Sequence, residues 1–298
     1  MLERYVGAIR RPQVDHLATV IFSSGSTGDP KGVMLSHFNI DSNSESVAQV
    51  LNVESNDRVL GILPQFHSFG YMATWFSVNN GLGLVCHHNP MDAAAIGPLA
   101  EREKVTVMIA TPTFLQVYMR RCNPGQFGAL RAVITGAEKL QPSTADAFED
   151  RFGIRPLEGY GTTEASPVVA VGTLAYRAPG FFQPGAKRGS VGQPIPGVAV
   201  QVVDPDSREP LPVGEPGMLL VRGPNVMEGY LGREDLTQSV MHDGWYITGD
   251  IAIVDEDGFI QITDRLSRFS KIGGEMVPHG KIETILHELA GVRDERTF

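Results

Sequence analysis

Short apolar runs alternate with helix-like stretches over residues 15–165 of the chain. Leu17–Phe22 is a continuous apolar run typical of a buried strand, and Ser36 is the expected N-cap of a helix that extends to Val50. The same patterns predict strands at 58–63, 105–110 and 130–135 and helices at 92–103 and 113–121. Ala145, Phe148 and Phe152 share one face of a further helix, which is expected to stop at Gly153. This alternation predicts an α/β fold with a parallel sheet flanked by helices, in which ligands bind at the carboxyl ends of the strands.

The pattern changes after residue 180, where the apolar runs are shorter and are separated by Gly, Pro and Asp. Strands are predicted at 198–203, 218–221, 251–254 and 259–262, with a hairpin turn at Asp255–Gly258. From residue 264 the sequence is polar and basic, and a helix is predicted from Lys281 to Leu289. We therefore divide the chain into an α/β segment (1–180), a small β-rich segment (181–263) and a third segment (264–298).

The amino-acid composition argues against several classes of protein. Of the 298 residues, 42% are hydrophobic and 20% are charged, as in folded domains. The formal charge of −9 argues against a broad surface for duplex nucleic acid. Cys86 and Cys122, with no CxxC, make neither a disulfide framework nor a zinc ribbon. No apolar run reaches the roughly 18 residues that suggest a transmembrane helix, and we expect a cytoplasmic protein.

The most informative stretch is Ser23–Gly32, with the sequence SSGSTGDPKG. Its glycines permit backbone conformations that are closed to other residues, and its hydroxyls and Lys31 supply donors. Such a loop can wrap a polyphosphate with its amide groups while Lys31 offsets the charge. It is not a Walker A loop, since Gly32 follows Lys31 where that motif needs Ser or Thr, which argues against a kinase or NTPase. The alternative is a mobile Ser/Gly surface loop.

Phe22–Gly32 resembles the phosphate loop of the acyl-adenylate-forming superfamily, which contains acyl-CoA synthetases, nonribosomal peptide adenylation domains and luciferases. Further stretches resemble motifs of that family, in the same order: Pro64–Gly70, Thr135–Leu140, Gly159–Glu164, Val221–Tyr230, Tyr246–Asp250 and Asp264–Pro278. The resemblance covers nearly the whole chain. It implies that a carboxylate is joined to the α-phosphorus of ATP with release of pyrophosphate, after which a thiol takes the acyl group.

The resemblance also implies roles for individual residues. Ser24, Thr27 and Lys31 would hold the β- and γ-phosphates of ATP, Thr163 would contact the α-phosphate, and Glu164 would help to hold Mg²⁺. Tyr160 would stack on adenine, and Asp250 would accept both ribose hydroxyls. The other expected nucleotide contacts are Ser23, Gly25, Ser26, Gly28, Gly136, Ala137, Glu138, Gly159, Gly161, Thr162 and Arg265, the last approaching the ribose from its far side.

Several of these residues also have an alternative interpretation in which they play no part in the reaction. Glu164 could be a solvated loop carboxylate, and Tyr160 could be a packing residue. His67, flanked by aromatic residues, is either a core histidine or a catalytic residue by the carboxylate entrance of the acyl site. Cys86–His88 suggests zinc, but no second ligand pair has suitable spacing, and we discount it.

The stretch Ser267–Glu283 resembles the synthetase half of bacterial acylglycerophosphoethanolamine acyltransferase/acyl-acyl-carrier-protein synthetases. This implies a fatty acid substrate, acyl carrier protein as the acceptor, and a parent protein associated with the cytoplasmic face of the inner membrane. The alternatives are a medium- or long-chain acyl-CoA synthetase and, in another class, a non-catalytic ATP-binding module.

The third segment would then be the hinge and the start of the family's C-terminal lid. Only 33 residues follow Arg265, and Lys271 and Lys281 come too early to match the adenylation lysine of that lid. We therefore expect a fragment or an unusually short member that binds ATP–Mg weakly and adenylates poorly on its own.

Overall fold

The computed structural model of the chain describes residues 13–24, 30–266, 269–272 and 275–278. In this part of the chain the α-helices are α1 His37–Leu51, α2 Ser68–Asn79, α3 Ala93–Arg102, α4 Pro112–Arg121, α5 Pro142–Phe152 and α6 Glu234–Val240. The strands as far as residue 183 are β1 Leu17–Ser24, β2 Pro30–Ser36, β3 Arg58–Gly61, β4 Gly83–Cys86, β5 Val107–Ala110, β6 Ala132–Thr135, β7 Leu157–Gly161, β8 Val168–Val171, β9 Tyr176–Ala178 and β10 Phe181–Gln183. Those that follow are β11 Gln193–Pro194, β12 Ala199–Val203, β13 Gly217–Arg222, β14 Gly229–Tyr230, β15 Met241–His242, β16 Trp245–Val254, β17 Ile260–Arg265, β18 Phe269–Ile272 and β19 Glu275–Pro278.

The largest sheet has seven strands in the order β11-β8-β7-β6-β5-β3-β4. Strands β3 to β7 are parallel, and β8 and β11 extend the sheet in antiparallel fashion. Helices α2, α3, α4 and α5 connect the parallel strands, as crossover connections require. The predicted α/β class is therefore confirmed, and the carboxyl ends of the parallel strands lie along one edge of the sheet.

Helices cover both faces of this sheet. Along β5, Val107 and Ile109 pack on one side with α1 and α2, whereas Met108 and Ala110 pack on the other with α3, α4 and α5. All four residues of β5 are buried, as expected for a parallel strand that is covered on both faces.

The predicted helix ends agree with the structure. Ser36 caps α1, its side chain accepting a hydrogen bond from the backbone N–H of Asn39, and Asp92 caps α3 in the same way. Gly153, with φ of 74°, ends α5 in the left-handed conformation that glycine adopts without strain. The predicted helix at 281–289 lies outside the described residues.

The prediction that the N-terminal strand is buried in the parallel sheet is wrong. Instead of being a buried strand of the parallel sheet, β1 forms an antiparallel hairpin with β2, and Leu17 and Phe22 are 52% and 66% exposed. Lys31 and Gly32 belong to β2 rather than to the loop. A Cβ on Gly32 would come within 3.0 Å of Val20 Cγ1, so this glycine allows the two strands and the segment at Leu231 to approach closely.

The later part of the chain forms the predicted β-rich region. An antiparallel sheet contains β12, β13, β16 and β15, with β17 paired to β16. The turn at Asp255–Gly258 joins β16 to β17 as predicted, and Asp255 Oδ1 accepts hydrogen bonds from the N–H groups of Asp257 and Phe259. Two short strands cross the proposed boundary at residue 180, since β11 pairs with β8 and β14 pairs with β2. Among the described helices, none has the length and apolar character needed to cross a bilayer.

Candidate active site

A cavity of about 480 Å³ opens between the carboxyl edge of the large sheet and the β-rich sheet. Strands β6 and β7 and the turns that follow them line one side, whereas residues of β16 and β17 line the other. Because several elements meet here, the cavity brings together motifs that are up to about 240 residues apart, from Ser23 to Arg265.

The hairpin β1–β2 carries the first basic group into the cavity. Ser23 and Lys31 are directly opposite each other across the hairpin, and both line the cavity. Ser24 faces Pro30 in the strand register. The remaining predicted phosphate-loop residues, Gly25, Ser26, Thr27 and Gly28, lie outside the described residues, so their contacts stay a prediction.

The turn between β7 and β8 presents Thr162, Thr163 and Glu164 to the cavity. The Thr163 hydroxyl lies 3.2 Å from the Ser68 hydroxyl at the start of α2. Glu164 Oε1 accepts a hydrogen bond of 2.8 Å from the Tyr230 hydroxyl. The Glu164 side chain is thus held against the cavity wall instead of extending freely into solvent.

Two buried asparagines hold this turn in place. Asn43 of α1 and Asn225 each donate to the carbonyls of Ala165 and Val168, at distances of 2.7 to 3.3 Å. The N–H of Val168 donates back to Asn43. Buried backbone groups that lose such partners cost about 1–3 kcal/mol each, so the two side chains fix the position of the turn. Sequence reasoning missed both residues.

Residues with little or no side chain line the cavity at the ends of β6 and β7. Gly136, Ala137, Gly159 and Gly161 all line it. A Cβ on Gly161 would lie 2.1 Å from the carbonyl oxygen of Pro167, so this position admits only glycine without a shift of the turn. Glu138 differs from these residues, because it does not line the cavity and its carboxylate accepts hydrogen bonds from the N–H and hydroxyl of Thr113.

Tyr160 of β7 and Arg265 of β17 line the cavity from its two sides, and both contact the carboxylate of Asp250, which does not itself line the cavity. The Tyr160 hydroxyl donates to Asp250, and Arg265 Nε lies 3.3 Å from the other carboxylate oxygen, because Asp250 and Arg265 are paired across β16 and β17. Asp250 is 4% exposed. Burial raises the pKa of its carboxyl group, while the hydrogen bond from Tyr160 and the charge of Arg265 act in the opposite direction.

His67 is exposed, so its interpretation as a core histidine is wrong. It caps α2, with Nδ1 accepting a hydrogen bond of 3.2 Å from the N–H of Phe69, and it lines the cavity. Cys86 is exposed and His87 stacks on His88. In the described part of the chain no three His, Cys, Asp or Glu side chains are grouped as a metal site.

The cavity has two chemically different ends. Lys31, Thr163 and Glu164 line one end, and apolar side chains from α1, α2 and the sheet line the other: Val47, Leu51, Met72, Ile109, Ile134 and Val171. None of these six carries an ionisable group. An anionic ligand group would thus be favoured at one end and an apolar chain at the other.

The donors at the polar end are compatible with Mg²⁺. Mg²⁺ is usually held by one or two carboxylates together with substrate phosphates and water, rather than by an all-protein cage. Glu164 supplies one carboxylate whose second oxygen makes no hydrogen bond to a described residue. The residues therefore fit a magnesium ion that enters together with a phosphate ligand.

These features define an α/β protein with a cavity at the carboxyl edge of its sheet that is lined by Lys31, Thr163 and Glu164. A family model described as AMP-binding enzyme matches residues 5–231, and the chain belongs to this family.

Among curated relatives, feruloyl-CoA synthase of Amycolatopsis sp. is 35% identical over 281 residues, which cover 94% of this chain and 55% of the relative. Long-chain-fatty-acid–CoA ligase of Bacillus subtilis (strain 168) is 30% identical, with coverages of 95% and 50%. Among solved structures, ATP-bound MatB from Rhodopseudomonas palustris has a TM-score of 0.82 at 31% identity, covering 93% of this chain and 53% of that one. O-succinylbenzoate CoA synthetase from Bacillus subtilis, in complex with ATP and magnesium, has a TM-score of 0.82 at 28% identity, with coverages of 95% and 57%. The chain thus spans about half the length of these relatives.

Proposed function

We propose that the protein activates a fatty acid with ATP, forming acyl-AMP and pyrophosphate, and that a thiol then accepts the acyl group. The observation that carries this proposal is the two-ended cavity, in which Lys31, Thr163 and Glu164 lie at one end and an uncharged apolar arm at the other. Such a cavity suits a reaction that joins a lipid-like acid to a polyphosphate. The names of the relatives support ligation of an acid to CoA.

In the proposed reaction a carboxylate oxygen attacks the α-phosphorus of ATP. The bond from that phosphorus to the oxygen bridging to the β-phosphate breaks, and pyrophosphate leaves with the electron pair. Both reactants are anions, so charge neutralisation and alignment supply most of the catalysis. Lys31 offsets the charge of the β- and γ-phosphates, with Ser23, Ser24 and the 25–28 loop as further donors. The Thr163 hydroxyl contacts the α-phosphate, and a bound Mg²⁺ would supply further positive charge at Glu164.

The nucleoside is assigned to the region where the two walls of the cavity meet. Tyr160 stacks on adenine beside Gly136, Ala137, Gly159 and Gly161, and Asp250 accepts the ribose hydroxyls with Arg265 nearby. Glu138 contributes through its backbone, since its side chain is held by Thr113. His67 lies at the entrance where the acid would approach the phosphate end. All these roles are proposals that mutagenesis can test.

The identity of the thiol that accepts the acyl group is a separate part of the proposal. Attack of a thiolate sulfur on the acyl carbon would break the bond to AMP and form a thioester. The two curated relatives above are named as a CoA synthase and a CoA ligase, so we propose CoA as the acceptor, and acyl carrier protein as the alternative suggested by Ser267–Glu283. Supplying CoA and holo-acyl carrier protein to the same reaction decides between them by which thioester accumulates.

The central test is trapping of the acyl adenylate. Incubation of the 298-residue chain with palmitate, ATP, Mg²⁺ and hydroxylamine is expected to give acyl hydroxamate that depends on both palmitate and ATP. We expect its rate to be below that of an intact synthetase. Binding of ATP with no hydroxamate would instead identify a non-catalytic ATP-binding module. Absence of both ATP binding and hydroxamate would refute the proposal.

A further inference from the structure

Tyr230 lies between the two opposite charges at the polar end of the cavity. Its hydroxyl donates to Glu164 Oε1 at 2.8 Å, and Lys31 Nζ lies 5.2 Å from the centroid of its ring. The sequence reasoning had assigned no role to this tyrosine. One side chain therefore contacts both the group expected to meet phosphate and the group expected to meet Mg²⁺.

The fold fixes the position of Tyr230 independently of these contacts. Tyr230 belongs to β14, where it pairs with Val33 of β2. Its N–H donates to the Thr237 hydroxyl of α6, and the neighbouring Leu231 N–H donates to the carbonyl of Gly32. The side chain is 4% exposed and packs in an apolar cluster with Ile21 and Val33. A ring held in this way resists movement of the groups that contact it.

A direct contact between Lys31 and Glu164 would weaken the site. An ammonium group and a carboxylate that pair in a partly buried cavity satisfy each other, and then neither is available for phosphate or metal. Within the described residues neither side chain forms an ion pair. The Tyr230 ring meets the ammonium group through a cation–π contact, which leaves its N–H donors free for another ligand.

The hydroxyl also orients the carboxylate. The carboxylate has two oxygens, and the Tyr230 hydroxyl donates to one of them at 2.8 Å. It occupies Oε1 of Glu164 and leaves Oε2 for a cation. We propose that Tyr230 is a positioning residue that keeps Lys31 and Glu164 apart and turns one Glu164 oxygen towards the Mg²⁺ that accompanies ATP. This inference rests on the proposed function, because it assumes ATP at this end of the cavity.

The test compares the affinity for ATP in EDTA with that in excess Mg²⁺, for the 298-residue chain and its variants. The ratio of the two affinities measures the coupling between metal and nucleotide. Tyr230→Phe keeps the ring over Lys31 and removes only the hydroxyl. We expect its affinity in EDTA to stay within about twofold, while the gain from Mg²⁺ falls at least about tenfold, as loss of a hydrogen bond to a charged group implies.

Tyr118→Phe is the matched control. Tyr118 is fully buried and its hydroxyl donates to the carbonyl of Pro90, on the face of the sheet covered by α3 to α5. This variant should lower the melting temperature without changing the Mg²⁺ gain. Tyr230→Leu removes the ring as well, and should also lose affinity in EDTA, because Lys31 and Glu164 can then pair.

A double substitution separates positioning from general packing. In a Glu164→Gln background, Tyr230→Phe should cause no further loss of the Mg²⁺ gain. An unchanged gain in Tyr230→Phe, or equal losses with and without Mg²⁺, would overturn the inference while leaving the proposed function intact. If the unsubstituted chain binds no ATP even with Mg²⁺, the proposed function itself fails.

Discussion

The β1–β2 hairpin brings the cationic side chain of Lys31 into the cavity, directly opposite Ser23. Arg265, the described arginine of the cavity wall, is already paired with Asp250. Lys31 is therefore the group best able to offset the charge of a triphosphate, and its contribution can be measured directly.

Lys31→Ala should weaken ATP binding at least tenfold, equivalent to about 1.4 kcal/mol. Arg120→Ala is the control, since Arg120 is exposed at the end of α4 and does not line the cavity. Titration calorimetry with ATP and Mg²⁺ measures both. Equal affinities for the Lys31 variant and the unsubstituted chain would place the triphosphate elsewhere.

Gly161 tests whether the turn after β7 must keep its shape. In Gly161→Ala the added Cβ would lie 2.1 Å from the carbonyl oxygen of Pro167, so the turn that carries Thr163 and Glu164 must shift. We expect a loss of about 1–3 kcal/mol in the free energy of unfolding, as overpacking usually causes, and at least tenfold weaker ATP binding. Gly125→Ala, where no atom lies within 4 Å of the added Cβ, should change neither quantity in urea unfolding or ATP titration.

A buried ion pair joins β3, β6 and α1 at the amino ends of the parallel strands, away from the cavity. Asp57, 3% exposed and just before β3, contacts Arg131 at the start of β6, and Arg131 also donates to the carbonyls of Leu51 and Asn52 at the end of α1. The hydrogen bond from Arg131 is the main reason why the pKa of Asp57 falls from 3.8 to about 2.

A lowered carboxyl pKa predicts how stability changes with pH. The folded state favours ionised Asp57, so its contribution is present above pH 3.8 and is lost as the pH falls towards 2. Asp57→Asn should cost about 2 kcal/mol at pH 7, and the difference from the unsubstituted chain should shrink over that acid range. Asp235→Asn, in an exposed pair with Arg233, should have little effect. Urea unfolding across pH checks this, and a pH-independent difference would contradict it.

For the molecule as a whole, the cavity depends on two sheets that are separate in the sequence. Strand β7 carries Tyr160 and strand β16 carries Asp250, and a hydrogen bond joins these two side chains. A nucleotide that contacts both walls should stabilise both sheets, because a ligand that binds only the folded state stabilises every element its site requires.

Hydrogen exchange can detect this coupling. With ATP and Mg²⁺, amides of residues 157–161 and 245–250 should exchange at least several-fold more slowly, whereas those of α5, on the face of the sheet away from the cavity, should change little. Protection confined to one of the two strands would show that the ligand contacts one wall alone.

Local patterns in the chain were sufficient to predict the α/β class, the ends of α1 and α3, the C-terminal end of α5 and the β-rich region, because these depend on hydrophobic periodicity, caps and glycine turns. The local sequence around Lys31 also indicated a phosphate-binding loop, whereas the roles expected of Thr163, Glu164 and Asp250 came from the family resemblance. The exposed hairpin of β1 and β2 was missed, because an apolar run does not reveal whether its partner strand is parallel or antiparallel.

Contacts across long sequence separations were decided only by the tertiary structure. The side chain of Glu138 turns to Thr113, His67 is exposed, and Asn43 and Asn225 hold a turn more than 50 residues from either of them. Tyr230 reaches Glu164 across 66 residues. Local patterns report the conformation of neighbouring residues, whereas these contacts depend on how distant strands align, and only the packed sheets set that alignment.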